Sequence, residues 1–184
     1  MKNCILKKAK IVELMKSDPS LPKLSYRYVT LGYFDLSIVE NEGSWKMELT
    51  QKPFEQSVEK GFVGTLFEGH IEEPKVFAAV ISNEQVGWIE LGYEKWNSRM
   101  RVWELLVKDD YRRQGIGTLL MGHAVKVAKE RGARMLVLET QSCNVAAISF
   151  YLKQGFNLIG FDSAAYSNSD VEKKEVRLEM GLTL

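Results

Sequence analysis

Only two cysteines, Cys4 and Cys143, occur in the 184 residues. They lie far apart and match no metal-ligand or disulfide spacing, which sets aside a disulfide-stapled secreted scaffold and favours a reducing compartment. No run of 18 apolar residues occurs, and lysines interrupt the N-terminal stretch "MKNCILKKAKIVELMKSDPS". Neither a membrane helix nor a secretory leader is therefore expected. Charge of one sign is not in excess: 25 basic and 24 acidic residues leave a formal net charge of +1. That disfavours a nucleic-acid binder held by bulk charge. The expectation is a cytoplasmic protein with no membrane or nucleic-acid partner.

What is present suits one globular domain over residues 1–184, with an ordinary 45% of hydrophobic residues. Three of the four prolines, Pro19, Pro22 and Pro53, fall in the first third. Residues 1–24 read as a short helix or strand followed by a loop, and "KPFEQSVEKGF" (52–62) as the start of a helix after Pro53. From residue 75 the pattern sharpens. "KVFAAVIS" (75–82), "VGWIELGY" (86–93) and "MRVWELLV" (100–107) read as strands joined by short turns, an antiparallel meander. Alternation in the third strand places Arg101, Trp103, Leu105 and Val107 on one face and Val102, Glu104 and Leu106 on the other.

A helix is expected from about Ile116 to Arg131, with Ile116, Leu120, Ala124, Val127 and Ala128 as its buried stripe and His123, Lys126 and Glu130 on a wet face. Gly132 fits its C-terminal cap. "RMLVLET" (134–140) follows as a strand, completing a strand–helix–strand unit whose strands run parallel. "NVAAISFYLKQ" (144–154) reads as a second helix closed by Gly155, and "FNLIGFD" (156–162) with "EVRLEMGL" (175–182) as a final hairpin.

The stretch "YRRQGIGTLL" (111–120) sets two arginines and two glycines before a helix. The first N–H groups of a helix lack internal partners and, with the helix dipole, attract anions. Gly115 and Gly117 leave those groups accessible, and Arg112 and Arg113 add charge at the rim. A P-loop would need a lysine after the glycine, and a dinucleotide fingerprint would need a third glycine where Leu120 stands. A plain strand-to-helix turn is the bland alternative.

The form Arg112-x-x-Gly115-x-Gly117 resembles the Gln/Arg-x-x-Gly-x-Gly/Ala signature of the GNAT superfamily of acyl-coenzyme A-dependent N-acyltransferases. "ELLV" (104–107) precedes it and "LVLET" (136–140) follows its helix. The segment from Asn144 through Ala147, Tyr151 and Gly155 to Phe156 resembles the family's Asn-x-x-Ala-x-x-x-Tyr-x-x-x-Gly-Phe. The resemblance covers roughly residues 75–184. It is nearest to streptothricin acetyltransferases, an antibiotic-inactivating branch, on "KWN" (95–97), "LETQ" (138–141) with Asn144, "GF" followed by Asp162, Tyr166 and Asn168, and more weakly "ENEGSWKMEL" (40–49).

The resemblance implies an α/β (α+β) fold with a mixed, mostly antiparallel sheet, a splayed parallel strand pair and flanking helices, residues 1–74 lying on the acceptor side. It implies acetyl-CoA as co-substrate and no metal. Its pyrophosphate would lie on Arg112, Arg113, Gln114, Gly115, Ile116, Gly117 and Thr118, and its pantetheine arm beside Leu105, Leu106 and Val107, where a backbone N–H would polarise the thioester carbonyl. Asn144 would hold the arm, and Tyr151, seven residues on and on the same helix face, would protonate the departing thiolate. An N-cap for Asn144 and a packed core tyrosine are the plainer readings.

Glu104, in a largely apolar strand, is the candidate base for the acceptor amine, with Glu90 and Asp162 behind it and an ordinary sheet ion pair as the alternative. Trp96 and Tyr166 would wall a cationic acceptor. His70 and His123 read as structural. Cys143 needs no covalent role because the amine can attack the thioester directly. The expected reaction is acetyl transfer to a primary amine of a small molecule, an aminoglycoside-like or streptothricin-type antibiotic, with a peptide N-acetyltransferase or a non-catalytic acyl-CoA sensor as alternatives. A homodimer is compatible with this reading.

Overall fold

The computed structural model describes residues 9–184, so Cys4 lies outside the described part. The described chain falls into two compact units. The first holds the chain up to Tyr26, Phe62–Leu138 and Leu182–Leu184; the second holds Arg27–Gly61 and Glu139–Gly181.

In the first unit, strands β1 (Lys10–Leu14), β4 (Lys75–Ile81), β5 (Glu84–Glu94), β6 (Arg99–Val107) and the start of β7 (Met135–Gln141) are neighbours in the order β1-β4-β5-β6-β7. The first three pairings are antiparallel. The fourth is parallel, from Arg99 opposite Met135 to Val102 opposite Leu138, and β6 then runs on to Val107. Helix α1 (Ile116–Glu130) joins β6 to β7, which is the expected strand–helix–strand unit. Its buried residues are Ile116, Leu120, Met121, Ala124 and Ala128; Val127 is only half-buried and Met121 takes its place in the stripe. A Cβ on Gly87 of β5 would stand 3.2 Å from side-chain atoms of both Ile116 and Leu120, so the face of β5 carrying residues 87, 89 and 91 packs on α1. The opposite face builds a core of Leu14, Leu24, Leu66, Val76, Ala78, Trp88 and Leu106. Each large apolar side chain buried there contributes about 1.5–3 kcal/mol.

Residues 52–62 are not a helix. They lie in β3 (Ser44–Gly64), which pairs with β2 (Leu24–Asn41) in a two-stranded sheet. Pro53 is accommodated because a strand of such a ribbon has an outer edge that needs no N–H donor. Gly32 lets the two backbones approach there: a Cβ on it would meet the Lys52 carbonyl oxygen at 2.8 Å.

The second unit adds the end of β7, helix α2 (Val145–Lys153), β8 (Asn157–Asp162), the short helix α3 (Asp170–Lys173) and β9 (Arg177–Thr183). Strands β8 and β9 form the expected antiparallel hairpin. No described helix is long and apolar enough to cross a membrane.

Candidate functional site

On β5 and β6, Glu90 lies directly opposite Glu104, but the next pair is Leu91 with Val102. Trp103 is therefore an extra residue on β6, a β-bulge. The bulge corrects the simple alternation. Val102 shares the α1 face with Leu91, whereas Glu104 shares the other face with Glu90, because directly opposed residues point the same way. Trp103 joins them there: a Cβ on Gly92 would stand 2.6 Å from its Nε1, and Gly92 is two residues from Glu90 on the same strand. Indole and carboxylate, adjacent in sequence, thus project on one side.

That side is acidic and aromatic. Glu90 is fully buried; its Oε1 accepts the Phe67 N–H at 2.6 Å, and its Oε2 has no hydrogen-bond partner among the described residues. Burial, reinforced by the charges of Glu104 and Glu68, pushes its carboxyl up to about 7. Glu104 is half-buried and its carboxyl is also raised, first by burial and then by Glu68, against the lowering effect of a hydrogen bond from the Tyr26 hydroxyl to Oε2. Glu104 makes no ion pair among the described residues, so the plain sheet-pair reading does not hold. Tyr26 stacks on Phe62 with ring centroids 4.3 Å apart. Gly64 makes room: a Cβ there would sit 2.5 Å from Glu104 Oε1. Nδ1 of His70 lies 3.3 Å from Glu68 Oε2, and its ring meets Trp103 edge-on at 4.9 Å.

Sequence reasoning selected Glu90 and Glu104 but missed Tyr26, Phe62, Gly64, Glu68 and Trp103 around them. Only Trp103 left a local signal, an aromatic next to the glutamate. Trp96, by contrast, is 82% exposed in the turn between β5 and β6.

The loop after β6 is held from within. A short 3-10 turn, Asp109–Tyr111, follows Lys108. Arg112 pairs with Asp109 at 2.9 Å and its Nε donates to the Val107 carbonyl at 3.2 Å, so this side chain braces the loop rather than standing free at its rim. The Gln114 side chain donates to the Asp110 carbonyl at 2.5 Å. Arg113 is exposed with φ 62°, and Gly115, with φ 93°, caps the helix in the left-handed region that favours glycine. The Leu119 N–H bonds the Gly115 carbonyl at 2.9 Å, so the N–H groups of Ile116, Gly117 and Thr118 precede the helical ladder. A braced loop, a left-handed glycine and the start of a 15-residue helix fit an anionic group such as a pyrophosphate. Leu105, Leu106 and Val107 lie at the C-terminal end of β6, with Leu106 in the core. On the α1 side, His123 is not on a wet face: its ring packs on Phe77 at 4.4 Å, and burial lowers its pKa.

In the second unit, Asn144 is the N-cap of α2, its side chain accepting the Ala147 N–H at 3.2 Å. Tyr151 is half-buried on that helix, its ring 6.0 Å from Phe156. The Cys143 thiol is fully buried, 3.5 Å from the Tyr28 hydroxyl, and burial pushes it up, which suits a structural thiol and not a nucleophile. Tyr166 donates to Glu139 at 3.3 Å. Asp162 accepts the Ala164 N–H at 2.9 Å and lies 4.0 Å from Arg177, which also faces Glu139 and Glu179. Asp162 is thus ion-paired, unlike Glu104. Among the described residues no group of three or more His, Cys, Asp or Glu side chains is placed to hold a metal ion.

Comparison with known proteins supplies the family. A streptothricin acetyltransferase of Streptomyces lavendulae is 37% identical over 106 residues, 57% of this chain; the chain spans little more than half, 56%, of that relative's length. The crystal structure of nourseothricin acetyltransferase superposes with a TM-score of 0.76 at 26% identity, covering 96% of this chain and 98% of that one. A Bacillus anthracis (strain Ames) structure named for streptothricin acetyltransferase, in complex with acetyl coenzyme A, superposes with a TM-score of 0.79 at 27% identity, covering 96% and 99%. Residues 39–156, more than half of the chain, match the acetyltransferase (GNAT) family. The chain belongs to the GNAT family of acetyltransferases.

Proposed function

We propose that the chain transfers an acetyl group from acetyl-CoA to a primary amine of a small cationic acceptor of the streptothricin type. The observation that carries this reading is the carboxyl pair Glu90–Glu104, set among Tyr26, Phe62 and Trp103 with no ion pair to Glu104 among the described residues. Buried carboxylates without a compensating cation attract a cationic ligand, and aromatic faces favour the same charge. The likeness to nourseothricin acetyltransferase over 96% of the chain, including most of the β2–β3 ribbon, supports this acceptor class over peptides.

Acetyl-CoA supplies the thioester carbonyl that the amine attacks. The loop of Arg112, Arg113, Gln114, Gly115, Ile116, Gly117 and Thr118 would hold its phosphates, the backbone of 105–107 its arm, and Asn144 would contribute through the group its cap leaves over. Glu104 takes the proton that the amine loses as the new C–N bond forms. Burial raises the Glu104 carboxyl above its ordinary value, and a carboxylate whose conjugate acid is weaker is a stronger base. Tyr151 returns a proton to sulfur as the C–S bond breaks, so one proton is taken up and one is delivered in each turnover. Asp162 and Tyr166 are further candidates for contact with the acceptor.

The test is thiol release from acetyl-CoA with streptothricin, simple diamines and a peptide library as acceptors. Rapid turnover with streptothricin supports the reading. Turnover confined to peptides would replace it with peptide acetylation, and binding of acetyl-CoA without turnover on any amine would leave a sensor.

A further inference from the structure

Of the two oxygens of Glu104, one is claimed. The Tyr26 hydroxyl donates to Oε2, while Oε1 lies where β3 is a glycine, Gly64, whose missing side chain would otherwise strike it. Tyr26 is itself fixed by its stack on Phe62, 4.3 Å between centroids and 12° between planes. The two contacts together restrict both rotation and translation of the carboxylate. We propose that Tyr26 is the positioning residue of the candidate base: its hydroxyl holds Oε2 so that Oε1 alone is presented to the acceptor amine, and its proton sets the pH at which the base becomes competent. The inference rests on the assignment of Glu104 as base.

The electrostatics give this a sign. A hydroxyl that donates to a carboxylate stabilises the charged form and lowers the carboxyl's pKa. Two influences around Glu104 work the opposite way: burial first, then Glu68 from the loop after β3. Glu90 faces it from β5, its own carboxyl pushed up to about 7 by burial. His70 is engaged with Glu68, and Arg101, on the same side of β6, is held by Glu94 at 2.6 Å and lies over Trp103 at 5.5 Å. Without the Tyr26 hydroxyl, Glu104 would keep its proton to a higher pH.

Tyr26→Phe removes the hydroxyl and retains the stacked ring. Carboxyl-carbon NMR titration of the full chain, with the Glu104 resonance assigned from Glu104→Gln, reads the base directly and needs no acceptor. The midpoint of Glu104 should move up by about one pH unit in Tyr26→Phe, as the loss of a hydrogen bond to a charged group implies. The acid limb of streptothricin-dependent thiol release should move up by the same amount, with acetyl-CoA affinity unchanged. A Glu104 midpoint that stays in place in a folded Tyr26→Phe protein would overturn the inference. A midpoint that moves while the acid limb does not would instead remove Glu104 as base and leave the electrostatic role of Tyr26 standing.

Discussion

Glu90 and Glu104 lie directly opposite each other on neighbouring antiparallel strands, two carboxyl groups with no ion pair to either among the described residues. Their proximity is produced by one extra residue, Trp103, which rotates Glu104 out of the α1 face. The first expected outcome concerns Glu104, the proposed base. Glu104→Gln keeps shape and removes basicity, so turnover should fall by about 10²–10⁴-fold and the acid limb of the rate profile should flatten. Calorimetry should find acetyl-CoA binding unchanged.

Glu90 makes a stability prediction. Its carboxyl rises in the fold from 4.5 to about 7, chiefly through burial. An acid with a raised folded-state pKa binds its proton more tightly when folded, so its contribution is complete below about pH 4.5 and is lost as pH rises through 7. The effect is of the order of 3 kcal/mol. Glu90→Gln should therefore flatten the decline of stability between these pH values in denaturant titrations. An unchanged decline would show that another group causes it.

Much of this site was invisible along the chain. The meander 75–107, α1 and the phosphate-loop candidate are legible because hydrophobic period and glycine placement are local properties. Bounds fell within a residue or two for β4 and β6. The β2–β3 ribbon was not legible, because Pro53 and a mostly exposed β3 hide any clean alternation. The bulge at Trp103 was hidden for a different reason: it inserts a residue without interrupting the β-rich composition, so only the pairing with β5 discloses it. Tyr26 and Gly64 meet Glu104 through tertiary contact alone, Tyr26 from 78 residues away.

Gly64 should resist even the smallest side chain. In Gly64→Ala the new Cβ would stand 2.5 Å from Glu104 Oε1, and the carboxylate must move. Displacement of a reacting group by about 1 Å costs on the order of 10²-fold, so kcat should drop while acetyl-CoA affinity holds. Equal activity in the alanine variant would mean that the position of Oε1 is immaterial.

Gly115 carries the loop's left-handed turn at φ 93°. A β-branched residue in that region costs roughly 1–2 kcal/mol. Gly115→Val should lower thermal stability by that amount and weaken acetyl-CoA binding at least about tenfold, one decade for each 1.4 kcal/mol of distortion passed to the ligand. Calorimetry of the folded variant decides it; full affinity would place the phosphates elsewhere.

On α2, Tyr151→Phe retains the ring packed toward Phe156 and removes the hydroxyl proposed as proton donor. Turnover at saturating substrate should fall by about 10²–10⁴-fold with little change in coenzyme affinity. Near wild-type turnover would assign the proton to water.

The most direct measurement is mass spectrometry of streptothricin incubated with acetyl-CoA and the purified chain, with thiol release followed in the same tube. The expected result is one acetyl group gained on a primary amine of the antibiotic for each thiol released, abolished in Glu104→Gln. Acetylated peptides beside unmodified streptothricin, or full activity in Glu104→Gln, would contradict it.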